Sequence, residues 1–135
     1  SLPLVALTNH DFLGIGDPEP SPWLGGIDIR DFHDDGVAAA ASIDGVVAYS
    51  PVVTHPDQSC TIGEDACTPY VTAEMVESAH AHGLKIIPWT VNPLPNMGYL
   101  LDLGVDGIIT DHPDRLRGLM EQRGLELPRA FAREG

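Results

Sequence analysis

Hydrophobic and polar positions divide the chain into short apolar runs separated by unequal polar stretches. "LPLVALT" (Leu2–Thr8) is nearly continuous apolar sequence, too short for a helix and without alternation, and it predicts a strand covered on both faces. From Asn9 to Gly36 the pattern disappears into Gly, Pro and Asp, which predicts a long loop holding at most a turn of helix. "VAAAASI" (Val37–Ile43) has high helix propensity, with Asp34 or Asp35 placed to cap it, and Val46–Tyr49 again reads as a buried strand. A second polar loop, Val52–Pro69, follows.

The remaining sequence carries two strand and helix units in quick succession. Thr72 can cap a helix, Glu74 suits its positive end, Met75, Val76 and Ala79 share a face, and Gly83 supplies a left-handed stop. "LKIIPWTVN" is then a strand ending at Trp89–Asn92. Asn92 is expected to cap the next helix, with Pro93 as its first residue, Met97, Leu100 and Leu101 as its apolar stripe, and Gly104 as its end. "VDGIIT" reads as a further strand, and Pro113–Arg123 as a helix that turns Leu116, Leu119 and Met120 inward before Gly124. Strands near Leu2, Gly45, Leu84 and Asp106, joined by helices or long connections, predict an α/β protein with a parallel sheet.

Ligands of such sheets gather at the carboxyl ends of the strands. That edge offers Thr8, Asn9, His10, Asp11, Tyr49, Ser50, Trp89, Thr90, Asn92, Asp111 and His112 as candidates. Trp89 stands out, because its indole combines an apolar wall with one N–H donor. A triad of Ser50, His10 and Asp111 is disfavoured, since Pro51 follows Ser50 and no nucleophile elbow surrounds it. No phosphate-cradling glycine loop is present. His80 and His82 are two apart on a helix and so point to different faces; the negative helix end is their expected partner.

Composition narrows the classes. With a net charge of −13 and seven basic residues in 135, the chain is no phosphate-backbone binder, so nucleic acid is not an expected partner. No apolar run approaches the roughly 18 residues of a membrane span, and there is no basic-then-apolar start, so neither a transmembrane helix nor a signal peptide is expected within these residues. The start without Met suggests a piece of something longer. Cys60 and Cys67 flank a short polar loop without zinc spacing; a disulfide, implying an oxidising compartment, is favoured over free thiols. The acidic stretch from Asp28 to Asp35 has oxygen ligands for calcium but not the order of an EF-hand loop, and a solvated loop that caps the helix is preferred.

"VTAEMVESAHAHGLKIIPWTVN" followed by "LLDLGVDGIITDHPDRL" resembles the C-terminal part of the glycerophosphodiester phosphodiesterase family. "LVALTN", "DIRDF" and "DGVVAYSP" resemble its more weakly patterned middle strands. The resemblance implies the C-terminal half, about strands five to eight, of a parallel (β/α)8 TIM barrel over residues 1–128, with 129–135 as a tail. It also implies metal-assisted hydrolysis of a glycerophosphodiester to an alcohol and glycerol 3-phosphate by the complete enzyme, with calcium or magnesium. The family's paired histidines, its Glu-x-Asp pair and its Glu-x-Lys strand do not occur here in order, so catalytic residues are expected in the N-terminal half, which becomes the expected partner. By resemblance Trp89 lines the glycerol side of the pocket, with Tyr49, Asn92 and Asp111 on the same face. The isolated chain is then expected to be inactive and the whole enzyme extracytoplasmic or secreted. Two rivals are a calcium-binding or self-associating module and a barrel lipase of the spider-venom sphingomyelin phosphodiesterase type, which "WTVN" and "TDHPD" suit less well.

Overall fold

The computed structural model describes residues 2–9 and 25–132. Its centre is a three-stranded parallel sheet of β1 (Leu4–Thr8), β2 (Val46–Pro51) and β5 (Lys85–Ile86), in the order β1-β2-β5. Ala6, Tyr49 and Ile86 lie side by side across it, in register and buried. Although β5 is short, Ile87 and Trp89 continue its ladder by donating to the carbonyls of Tyr49 and Pro51, both at 3.0 Å.

The fourth expected strand is present as a hydrogen-bonded edge rather than a regular one. Asp106 N donates to Ile86 O at 3.0 Å, and Val91 N to Ile109 O at 2.8 Å. Between them, Ile109 and not Ile108 donates to Pro88 O, one residue later than an even parallel ladder would place it. Pro88 has no N–H to return, which breaks the pairing at that point. Gly107 permits the close approach of this edge, since a Cβ there would meet Ile87 Cγ2 at 3.3 Å.

Helices cover one side of the sheet. α1 (Gly36–Ala41) starts at Asp35, whose Oδ1 accepts from Val37 N at 3.0 Å and Ala38 N at 3.1 Å. Its alanines Ala39 and Ala40, both 0% exposed, let it lie close to β2 and to α2 (Ala73–Ala81). Thr72 caps α2 by accepting from Met75 N at 3.2 Å, and Gly83 follows it at φ 73°. α3 (Leu94–Leu103) adds buried Met97 and Leu100 and ends at Gly104, while α4 (Pro113–Gln122) contributes half-buried Leu116 and Leu119. Alternation on β1 leaves the other side bare: Ala6 and Thr8 are buried, whereas Val5 and Leu7 are each 51% exposed.

The segment from Val52 to Pro69 is more ordered than a loop. β3 (Thr54–His55) pairs antiparallel with β4 (Thr68–Pro69), and a Cys60–Cys67 disulfide closes the excursion between them. Asn96 of α3, 2% exposed, pins that excursion by accepting from Ile62 N at 2.8 Å and donating to Cys60 O at 2.9 Å. His82 meets the end of α2, with Nδ1 at 2.8 Å from Ser78 O. His80 departs from expectation: its Nε2 lies 2.8 Å from Asp106 Oδ2, which also accepts from Ile86 N at 2.9 Å. A carboxylate across the gap offers His80 a full charge, more than the partial charge of a helix end.

Candidate functional site

The carboxyl end of the sheet is built by the two last crossovers. Trp89, half-buried, follows β5 on the face opposite Tyr49, since Tyr49 pairs with Ile86 and side chains alternate along the strand. Its indole N–H donates to Ser50 O at 2.9 Å, so the one polar atom of the ring is spent across the sheet and the ring itself remains as an apolar wall. Ser50 in turn directs its hydroxyl to Ile87 O and is 0% exposed, which removes it as a nucleophile.

Asn92 and Asp111 come together as a pair. Asn92 Nδ2 donates to Asp111 Oδ2 at 3.0 Å, while Asn92 Oδ1 accepts from Asp111 N at 3.1 Å and from Thr110 Oγ1 at 3.2 Å. Asn92 therefore does not cap α3: Pro93 precedes Leu94 there, with no side-chain cap. Its amide is better used across the sheet, where it satisfies one carboxylate oxygen and one backbone N–H at once. Arg115 Nη1 reaches Asn92 O at 3.4 Å, and His112 N donates to Thr110 Oγ1 at 3.0 Å. Thr110 and Arg115 belong to the same closing segment as Asp111, yet nothing in their spacing marks them, because their partners lie about twenty residues away.

Tyr49 stands apart from this group. It is 0% exposed on the helix-facing side, beside Thr8 and Tyr70. Burial pushes its phenol up against a smaller easing by Thr8 and Tyr70, and burial, with Tyr49 second, pushes Tyr70 up as well. Neither the Tyr49 hydroxyl nor Thr8 Oγ1 meets a partner along a hydrogen-bond direction. The structure thus joins Trp89, Asn92 and Asp111 at one edge and places Tyr49 behind it; Asn9 and Thr90 are half-buried, and His10 and Asp11 lie outside the described residues.

Among the described residues no three His, Cys, Asp or Glu side chains converge as a cation site. Asp28 is taken up by Arg30, whose guanidinium and backbone N–H hold its carboxyl below the ordinary range, and Asp35 is taken up by α1. The described residues do not fit a resident divalent cation.

A parallel sheet covered by helices on one side, with polar groups converging at its carboxyl edge, is the α/β arrangement from which barrels of the TIM type are built. Residues 21–115 match the glycerophosphoryl diester phosphodiesterase family, and the chain belongs to that family. It is similar to a glycerophosphodiester phosphodiesterase of Caldanaerobacter subterraneus subsp. tengcongensis, 41% identical over 54 residues, which are 40% of this chain and 22% of that protein. It is also similar to the dermonecrotic toxin LvSicTox-alphaII1 of Loxosceles variegata, 40% identical over 53 residues, 38% of this chain and 19% of the toxin. A crystal structure of a putative glycerophosphoryl diester phosphodiesterase from Silicibacter pomeroyi DSS-3 superposes with a TM-score of 0.62 at 25% identity, covering 94% of this chain and 33% of that one. The chain thus spans a third or less of the proteins it matches.

Proposed function

We propose that this chain is the C-terminal half, about strands five to eight, of a glycerophosphodiester phosphodiesterase barrel, formed by residues 1–128 with 129–135 as a tail. The observation that carries this reading is the bare side of the sheet. Val5 and Leu7, 51% exposed, and Ile109, 44% exposed, form part of an apolar surface that a closed barrel would bury. Coverage of 94% of this chain against 33% of the structural neighbour fits the same reading.

The complete enzyme would add water across a P–O bond of a glycerophosphodiester, releasing an alcohol and glycerol 3-phosphate. Proton transfer and any calcium or magnesium would be supplied by the N-terminal half, the partner of this chain. This half would contribute the wall: Trp89 an apolar surface for the glycerol carbons, and the Asn92–Asp111 pair polar groups at the rim. Tyr49, behind the sheet, would support that wall from beneath. The Cys60–Cys67 bridge and the similarity to a toxin support an extracytoplasmic or secreted setting.

The test is release of glycerol 3-phosphate from glycerophosphocholine with calcium or magnesium. None is expected from the 135-residue chain, and turnover is expected when it is co-expressed with an N-terminal half barrel from the family. Metal-dependent turnover by the chain alone would refute the reading. The same bare face supports a second reading, self-association without catalysis. A native mass of twice 14.4 kDa, together with no gain of activity from the added half, would favour it.

A further inference from the structure

The excursion between β2 and α2 leaves the sheet at its carboxyl end and comes to rest on the first turn of α3, one turn beyond Asn92. It therefore forms part of the rim beside Trp89, whose backbone N–H donates to Pro51 O at 3.0 Å and which bridges to Val52 at the root of the excursion. Little apolar burial holds it there. His55 to Ser59 and Gly63 to Ala66 are exposed, and between Asp57 and Thr68 it is Ile62 that packs, half-buried, against the core. The base is short as well: β3 and β4 have two residues each, and Pro69 has no N–H to give the ladder.

Two further ties meet in one place. Buried Asn96 accepts from Ile62 N and donates to Cys60 O, and both of those atoms lie within the ring that the Cys60–Cys67 bridge closes. Closing the ring limits the conformations in which this stretch can leave Asn96, so the bridge supports the two hydrogen bonds. Both cysteines are only half-buried, and Ser59, Ala66 and Thr68 beside them are exposed, so a thiol can approach the bridge without opening the core.

We propose that Cys60–Cys67 is a redox latch: two-electron reduction by a dithiol releases the excursion from α3 and uncovers the rim, while the sheet stays folded. A thiolate of the reductant attacks one Sγ, forming a mixed disulfide and expelling the other cysteine sulfur as a thiolate. The reductant's second thiol then closes its own disulfide, and its two protons end on Cys60 and Cys67. No residue of β1, β2 or β5 lies within the ring, so the sheet does not depend on it. That the uncovered rim is a substrate wall rests on the function proposed above; the release itself does not.

The experiment is amide hydrogen exchange followed by NMR on the 135-residue chain, oxidised and after dithiothreitol, with the gain of two hydrogens checked by mass. Ile62 N–H reads the contact with Asn96, and Glu64 and Cys67, which donate to Thr61 O and Glu64 O, read the ring. Reduction is expected to lower protection of Ile62 by roughly ten- to fifty-fold, the upper figure being the full effect of closing so short a ring. Tyr70 at the base, Met97 in α3 and Ile86 in the sheet should keep theirs. Replacing both cysteines by Ser should give the reduced pattern with or without dithiothreitol, and oxidised Asn96→Ala should lose Ile62 protection with the bridge intact. A bridge that resists dithiothreitol in the folded chain, an Ile62 amide whose protection survives confirmed reduction, or acceleration spread through α3 and the sheet would each overturn the latch. Failure of the barrel reading leaves these results unchanged and shows instead as metal-dependent turnover by the chain alone.

Discussion

Asn96→Ala removes a side chain that joins two distant parts of the chain. In the native protein its amide bonds Ile62 N at 2.8 Å and Cys60 O at 2.9 Å while being 2% exposed. Truncation leaves one donor and one acceptor without partners and a small void beside α3. A fully buried orphan costs about 1–3 kcal/mol. Cys60 and Ile62 are only half-buried, so water can reach part of the gap and the lower end applies to each. The expected loss is therefore about 2–3 kcal/mol for the pair. Equilibrium urea unfolding, with the disulfide kept intact, should show a lower midpoint at an unchanged slope. A companion measurement separates the two ties on this loop. Replacing both Cys60 and Cys67 by Ser opens a bridge spanning seven residues, worth about 2.5 kcal/mol through the unfolded chain. Because the bridge acts on the unfolded state and Asn96 on the native one, the losses should nearly add in the triple variant. A loss below about 0.5 kcal/mol for Asn96→Ala, in a protein with native spectra, would refute the claim that these hydrogen bonds anchor the loop.

Two further outcomes follow from the last edge of the sheet. Burial acts to raise the Asp106 carboxyl, but the Ile86 N–H and His80 outweigh it, and its pKa is lowered. A depressed native pKa gives stability that is present above the unfolded value of about 3.9 and is lost as pH falls through the native value. Acid unfolding monitored by circular dichroism should accordingly be shallower below about pH 4 in Asp106→Asn, and an unchanged acid limb would count against the link. Gly107→Ala brings a methyl to 3.3 Å from Ile87 Cγ2, so a loss of about 1 kcal/mol in thermal unfolding is expected; a stabilised variant would mean that the edge can shift freely.

Much of the architecture is written locally. Asp35 and Thr72 cap their helices because a short oxygen-bearing side chain can turn back on the next amides, and Gly83 and Gly104 end theirs because they adopt positive φ cheaply. Apolar runs likewise identify β1, β2 and β5, though not the β3–β4 pair, which lies in a polar stretch. The family was legible for a related reason: its closing segments place strand ends, caps and glycines in a fixed order.

The tertiary structure decided what locality cannot. Asn92 carries every sign of a cap, yet the fold brings Asp111 within reach and its amide turns there instead. His80 finds Asp106, 26 residues on, and Asn96 finds Cys60, 36 residues back, and neither pairing leaves a periodic trace. The facing of Tyr49 was equally hidden, since a continuous apolar strand does not announce which side the helices will cover; only the register Ala6–Tyr49–Ile86 put it behind the sheet. Sequence by itself determined the elements and the family because caps, turns and apolar periodicity act over a few residues. Which polar groups meet at the sheet edge, and which side of the sheet Tyr49 faces, were settled by packing, where contacts join residues far apart in the chain.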